Sequence, residues 1–337
     1  MKLILHAFEL PLRHPFTISR GTVSVQPTLI VELQQDGLSG YGEATTNDYY
    51  QVTFGSMQLS LEAVREKIES HTLTDPAEFW DALAGDLRHD PFAQCALDQA
   101  AHDLWGKQRG QPVYRLWGLS LAQVPVSNFT IGIDSIDRML AKLRETPDWP
   151  VYKIKLGTPH DLDIIRALRE ETDAPFRVDA NCGWQVEEAI ENAAALQELG
   201  VEFIEQPLPA DDWEGMQEVY RRSALPLVAD ESCVLEKDVP RCQGYFHGVN
   251  VKLVKCGGLT PARRMIDQAK GLGLKTMVGC MTESTVGISA IAQLLPLLDY
   301  VDMDGAALLE KDIADGVRVE RGEAIFPAEN GNGVRLR

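Results

Sequence analysis

Six charged residues recur along this 337-residue chain at intervals that invite chemistry: Lys153 and Lys155, then Asp179, Glu205 and Asp230, then Lys252. Each lies in a short apolar run, in VYKIKLG, FRVDANCG, EFIEQPL, PLVADES and GVNVKLVKCGG. Taken singly, an aspartate in such a place is most often a helix cap, and a lysine a solvated surface group. Three carboxylates brought together in phase are different. They repel one another unless a cation neutralises them, and a ligand set made only of oxygens suits Mg2+, with Mn2+ as the alternative. Lys153 and Lys155 alternate within one strand and share a face. If that face is the interior of a barrel, burial and like charge lower the lysine pKa, which makes Lys155 a candidate general base. Lys252 lies in an apolar strand in the same way. Lys255, three residues on, has the opposite parity and is given no role.

The elements that must position these residues are legible from Val124 onward. Eight short apolar runs, each followed by a loop and an amphipathic helix, end near residues 130, 155, 179, 205, 230, 252, 279 and 302, which is every 22 to 27 residues. Strands alternating with helices at that spacing indicate a parallel (β/α)8 TIM-type barrel, whose active sites sit at the C-terminal ends of the strands. An open doubly wound sheet is the structural rival. It would carry a glycine-rich phosphate turn, and neither GxGxxG nor a Walker loop is present.

Ahead of the barrel, LILHAFEL, TLIVELQQDG and LSGYGEA read as strands with QDG as a turn, and helical text follows over 60–69, 75–87 and 91–106. The tail returns to short strand-like pieces, GVRVERG and EAIFP, that leave the repeat and point back to the N-terminal module. The expected organisation is therefore α/β: an N-terminal α+β domain over 1–118, a modified (β/α)8 barrel over 119–311, and a segment over 312–337 that completes the first domain.

Composition narrows the function. A formal charge of −18 argues against nucleic acid as a partner, since phosphate contacts need basic patches. No apolar run reaches membrane-spanning length, and the start of the chain, MKLILHAFELPLRHP, reads as a strand and not as a signal peptide. Six cysteines without a CxxC pair fit a reducing cytoplasm, and the seven histidines form no metal or triad motif.

The joint pattern resembles the enolase superfamily, its muconate-lactonizing subgroup and, within that, the dipeptide epimerases. The resemblance covers nearly the whole chain: FTISRG (16–21), GYGEAT (40–45), ALDQAAHDLWGK (96–107), FTIGID (129–134), KIK (153–155), VDAN (178–181), EQPL (205–208), ADES (229–232), NVKLVKCGGLT (250–260), GCMTES (279–284) and DMDG (302–305). It implies that Asp179, Glu205 and Asp230 ligate the metal, that Lys155 and Lys252 form the acid/base pair, and that Lys153 supports them. The implied reaction is inversion of the α-carbon of a dipeptide's C-terminal residue, by proton transfer between two lysines through a metal-stabilised enediolate.

The resemblance further implies that Asp302 and Asp304 receive the substrate's α-ammonium group, and two carboxylates at the eighth strand end make a good cation site. Lactonizing and o-succinylbenzoate-forming relatives act on substrates without that group, and a mandelate-racemase-like chemistry would place a histidine where Lys252 stands. By the same likeness the N-terminal module caps the barrel, with loops near 16–24 and 44–56 over the pocket. Arg20 is similar to an arginine that faces an acidic side chain, as in L-Ala-D/L-Glu epimerases. Thr130, Cys280, Met281 and Glu283 are expected to line the pocket, with Glu283 at its mouth favouring a basic side chain instead. Other activities open on this scaffold are N-acylamino acid racemisation, o-succinylbenzoate synthesis and cycloisomerisation. A Schiff-base aldolase would not need the acids in phase, and a non-enzymatic binding barrel would bind ligand without exchanging its α-proton. Whether the chain forms a homo-oligomer is left open.

Overall fold

A computed structural model describes all 337 residues. The chain opens with an antiparallel sheet of β1 (Lys2–Ile18), β2 (Gly21–Gln35) and β3 (Leu38–Thr45), in that order. The QDG turn is made as its residues suggest: Asp36 and Gly37 both have positive φ, 54° and 78°, as a two-residue hairpin between right-twisted strands requires. β1 runs well past the expected LILHAFEL, because its ladder with β2 survives an irregularity between Pro11 and Phe16.

The helix Pro91–Arg109 lies on this sheet. Its ends follow from sequence: Asp90 accepts from the Ala93 amide at the start, proline sits in the first turn, and Gly110, at φ 66°, closes it. The helix approaches β3 so closely that a Cβ on Gly42 would collide with the carbonyl oxygen of Ala96. That contact explains the second glycine of GYGEAT. The helix expected over 60–69 is two helices, Phe54–Ala63 and Arg65–Ser70, which meet at Val64, where the backbone leaves helical geometry.

The barrel is built from β4 (Phe129–Ile131), β5 (Tyr152–Lys155), β6 (Phe176–Asp179), β7 (Val201–Glu205), β8 (Leu227–Ala229), β9 (Gly248–Val251), β10 (Lys275–Gly279) and β11 (Tyr300–Asp302), all parallel and paired in sequence order. Helices such as Trp213–Arg222 bury one face, here Met216 and Val219, against the outside. The seam between β11 and β4 has no full ladder. A single bridge joins Ser127 to Val301, and side chains complete it: the Met303 amide donates to Ser127 Oγ at 2.9 Å, and Asn128 Nδ2 donates to Asp302 Oδ1 at 2.7 Å.

β9 stops at Val251, and Lys255 lies on a short helix, Leu253–Cys256, that Gly257 closes at φ 101°. The strand parity assigned to Lys255 from sequence therefore does not apply. After the barrel the chain runs back over the helix Pro91–Arg109: the Asn332 amide donates to Asp103 Oδ1, Lys107 Nζ to the Val334 oxygen, and Ala314 and Val334 pack with Ile30 and Val286. No helix is long and apolar enough to cross a membrane.

Candidate active site

Asp179 ends β6, Glu205 ends β7 and Asp230 follows β8 by one residue. Parallel register puts the three carboxylates side by side, with ligand oxygens all within 4.8 Å of one another and fully buried. The chain bends sharply at each end to hold them there. Asn181 and Cys182 adopt left-handed φ of 44° and 65°, and the Asn181 amide donates to Asp179 Oδ1 at 2.9 Å. Gln206, at φ 37°, turns its side chain across to β8, where Oε1 accepts from the amides of Asp230 at 3.0 Å and Ser232 at 3.1 Å. Non-glycine residues hold such conformations where the surroundings over-determine them, as they do here. Asn250 Nδ2 donates to Glu205 Oε1 at 2.9 Å.

Four lysines surround the trio. Lys153 Nζ lies 2.7 Å from Asp302, 2.8 Å from Glu205 and 3.3 Å from Asp179. Lys155 reaches Asp179 Oδ2 at 2.6 Å, and Lys252 reaches Asp230 Oδ2 at 2.9 Å from the other side. Lys255, buried behind them, contacts Asp230 Oδ1 and three main-chain oxygens, those of Asp230, Cys233 and Asn250.

At Lys153 and Lys252 burial works to lower the pKa, but the surrounding acids outweigh it. Asp302, Glu205 and Asp179 hold Lys153 well above its ordinary value, and Asp230 raises Lys252. The acids divide unevenly. Burial works against ionisation of Asp179, yet Lys155 and Lys153 pull it down to about 2, and against the same burial Lys252 and Lys255 hold Asp230 well below its ordinary value. Burial and the neighbouring Asp179 push Glu205 up to about 7.

The donor set fits a hard divalent cation: it is all oxygen, acidic and convergent. Glu205 Oε2 adds a specific sign. It is buried and makes no hydrogen bond, although Lys153 Nζ lies 2.8 Å away. A cation among these acids would offset the negative charge that raises Lys153 and Lys252.

Asp302 and Asp304 sit beyond Lys153, both buried, at the barrel seam. Thr130 donates its amide to Asp304 Oδ2 at 2.5 Å, and its hydroxyl lies 3.2 Å from Asp304 Oδ1. Burial opposes ionisation of both, but Lys153 holds Asp302 well below the usual carboxylate range, while Asp304, beside Asp302, is pushed well above it. The thiol of Cys280 lies with these two acids, and Met281 meets Asn47 Nδ2, two residues past β3, at 3.8 Å.

Arg20, on the turn between β1 and β2, is already engaged. It donates to Glu231 Oε1 at 2.7 Å and to the Asn181 oxygen at 2.9 Å, with its guanidinium 4.4 Å from the centre of the Tyr49 ring. Glu283 is not at a solvent-facing mouth. It is 3 % exposed, accepts from the Met281 amide, and lies against Glu43 of β3, which together with burial pushes its carboxyl well above the ordinary range. Glu43 in turn takes the amides of Ser284 and Gly287 at the start of the helix Thr285–Ala292. Gln206, Glu231 and Asn250 carry no role in the sequence pattern although they lie inside EQPL, ADES and NVKLVKCGGLT beside the assigned residues, and Lys255, in the last of these, is set aside there on strand parity.

Residues 136–337 match the enolase C-terminal domain-like family, and residues 2–118 match the N-terminal domain of mandelate racemase and muconate lactonizing enzyme. The L-Ala-D/L-amino acid epimerase of Flavobacterium johnsoniae is 56% identical over 336 residues, covering 100% of both chains. Among solved structures, the L-Ala-D/L-Glu epimerase of Bacillus subtilis, in a substrate-liganded complex, superposes with a TM-score of 0.92 at 25% identity, over 99% of each chain. The dipeptide epimerase of Methylococcus capsulatus, complexed with Mg and L-Arg-D-Lys, gives 0.91 at 31% identity, again over 99% of each.

Proposed function

The chain belongs to the enolase superfamily, in its mandelate racemase and muconate lactonizing branch, and from that premise we propose that it is a dipeptide epimerase, an isomerase that inverts the α-carbon of the C-terminal residue. Asp179, Glu205 and Asp230 would hold Mg2+, with Mn2+ as a substitute of like chemistry. Bound there, the metal supplies Lewis-acid stabilisation of the charge that develops on the substrate carboxylate as the α-proton leaves.

The observation that carries the mechanism is the flanking of the acid trio by lysines from two sides, Lys155 against Asp179 and Lys252 against Asp230. One lysine, as the neutral amine, takes the α-proton at Nζ. The other, as the ammonium, delivers a proton to the opposite face of the planar carbon, which inverts it. The pair exchanges roles for the reverse direction. Lys153, fixed between Asp302, Glu205 and Asp179, keeps its proton and orders the acids around it. Asp302 and Asp304 take the substrate's α-ammonium group, for which their carboxyl oxygens supply acceptors. An N-acylamino acid brings no such charge, and this pair of acids favours the dipeptide over it.

The test is a screen of L,L-dipeptide libraries in D2O with Mg2+, read by mass spectrometry. Gain of one deuterium at the α-carbon of the C-terminal residue, abolished by chelator, is the expected result. No incorporation across acidic, basic and apolar libraries would overturn the assignment.

A further inference from the structure

Lys155 and Lys252 are held in different ways. Lys155 lies inside the barrel ladder, paired in register with Asp179 of β6. Lys252 lies one residue beyond β9, where the chain enters the short helix Leu253–Cys256, then Gly257 and Gly258, then the helix Leu259–Gly271. We propose that Asp98 and Trp80, both in the N-terminal domain, are positioning residues for Lys252, clamping the far end of the turn that carries it. The inference rests on the two-lysine reading above, and it gives the N-terminal domain a part in proton transfer as well as in covering the pocket.

The clamp starts from a helix that cannot cap itself. The residue before Leu259–Gly271 is Gly258, which has no side chain to accept from the first free amides. Asp98, on the helix Pro91–Arg109, does so in its place. Its Oδ2 accepts from the Thr260 amide and its Oδ1 from the Thr260 hydroxyl, both at 2.8 Å, and it is 2 % exposed. The helix dipole favours a carboxylate at that end. The backbone is shaped to let it in: Gly258 has φ 121°, and a Cβ there would collide with the Asp98 carboxylate. One residue earlier Trp80, on the helix Pro76–Leu87, donates Nε1 to the Gly257 oxygen at 2.8 Å.

Between this clamp and β9 the main chain has little slack. The amides of Gly257 and Gly258 both donate to the Leu253 oxygen at 2.9 Å, and those of Lys255 and Cys256 donate to the Lys252 oxygen at 3.0 and 3.2 Å. The side chain of Lys252 makes one ion pair, with Asp230 at 2.9 Å, so the backbone beneath it largely sets where Nζ points. Loosening Gly257 and Gly258 therefore disturbs one of the two bases and leaves the other in its ladder.

The experiment reads that asymmetry. The dipeptide pair that takes up deuterium fastest in the D2O screen is incubated with saturating Mg2+, starting from each epimer in turn. Proton NMR follows α-deuterium uptake and inversion separately, for the unsubstituted protein and for Asp98→Ala and Trp80→Phe. Inversion should fall in both, by about 10–100-fold in Asp98→Ala, the scale of a reacting group misplaced by about an ångström. From the epimer whose α-proton faces Lys155, uptake should survive, so that uptake per inversion rises by nearly the same factor. From the epimer facing Lys252, uptake should fall together with inversion. Asp98→Asn can still accept from the Thr260 amide and donate to its hydroxyl, and should recover most of the loss. Trp80→Phe removes one hydrogen bond from a half-buried ring, which keeps the test available should Asp98→Ala fail to fold. A purely structural role would scale every rate alike. Unchanged rates, or equal falls in uptake and inversion from both epimers, would overturn the proposal while leaving the epimerase reading intact. Absence of deuterium uptake from any dipeptide by the unsubstituted enzyme would remove both.

Discussion

Lys255 donates twice to Asp230, to its main-chain oxygen at 2.5 Å and to its carboxylate Oδ1 at 2.6 Å, while Lys252 meets the other carboxylate oxygen. One lysine thus fixes the acid from behind and the other faces the reaction. Lys255→Met would leave that oxygen and the carbonyls of Asp230, Cys233 and Asn250 without their donor. Removing one partner of a buried ion pair costs about 3–5 kcal/mol. Loss of the group that orients a metal ligand typically weakens metal affinity about 10–100-fold. Thermal melting and calorimetric titration with Mg2+ read the two effects separately. An unchanged melting temperature and an unchanged Mg2+ affinity would show that Lys255 orders nothing.

Lys155→Ala and Lys252→Ala should each lower epimerisation about 1,000-fold or more, the scale of a positioned acid/base group. Each variant should still exchange the α-proton of the one epimer whose proton faces the surviving lysine. Proton NMR in D2O, started from each epimer in turn, distinguishes the two faces. Full epimerisation by either variant is incompatible with two bases.

Asp304→Asn keeps the hydrogen-bonding shape but removes a carboxylate that the substrate's ammonium group would recruit. We expect kcat/KM for dipeptides to fall about 10–100-fold, the range of a charge-assisted hydrogen bond. The corresponding N-acetylated amino acid, which has no ammonium group, should lose little. Equal losses for both substrates would assign Asp304 to the seam alone.

Glu283 sets a pH dependence of stability. Burial and Glu43 raise its pKa, so the folded protein retains a proton that the unfolded chain releases above about pH 4.3. Stability is then greatest below that pH and declines as pH rises toward the folded pKa. Glu283→Gln removes this decline. Its melting temperature relative to the unsubstituted protein should rise as pH increases above about 4.3, and a constant difference across pH would contradict the raised pKa of the buried carboxyl.

The barrel and its acid trio were legible because both follow from spacing. Strand ends recur at a nearly fixed interval, and a charged residue closing an apolar run has few places to go but the top of a barrel. What escaped the sequence depends on distances that no local pattern encodes. The left-handed turns at Asn181 and Gln206 occur at residues with no glycine to announce them. Lys255 reads as a strand residue until Lys252 is seen to end the extended chain and begin a helical turn. The partnership of Arg20 with Glu231 spans 211 positions. The sign of the lysine shifts could not be read either, because it rests on how many carboxylates gather within a few ångströms of each ammonium, and three gather around Lys153.

The seam between β11 and β4 gives the barrel an uneven tolerance to change. Asn128, Thr130 and Asp302, which stitch the first strand to the last, are also the residues that stand where a substrate's amino group would be received. A lineage that altered recognition at this end would loosen the closure of its own barrel in the same step. The turn bearing Arg20 takes no part in that closure, since β1 and β2 pair right up to it, Ile18 with Gly21. Substitution at that turn therefore leaves the closure of the barrel untouched, whereas substitution at Asn128, Thr130 or Asp302 does not.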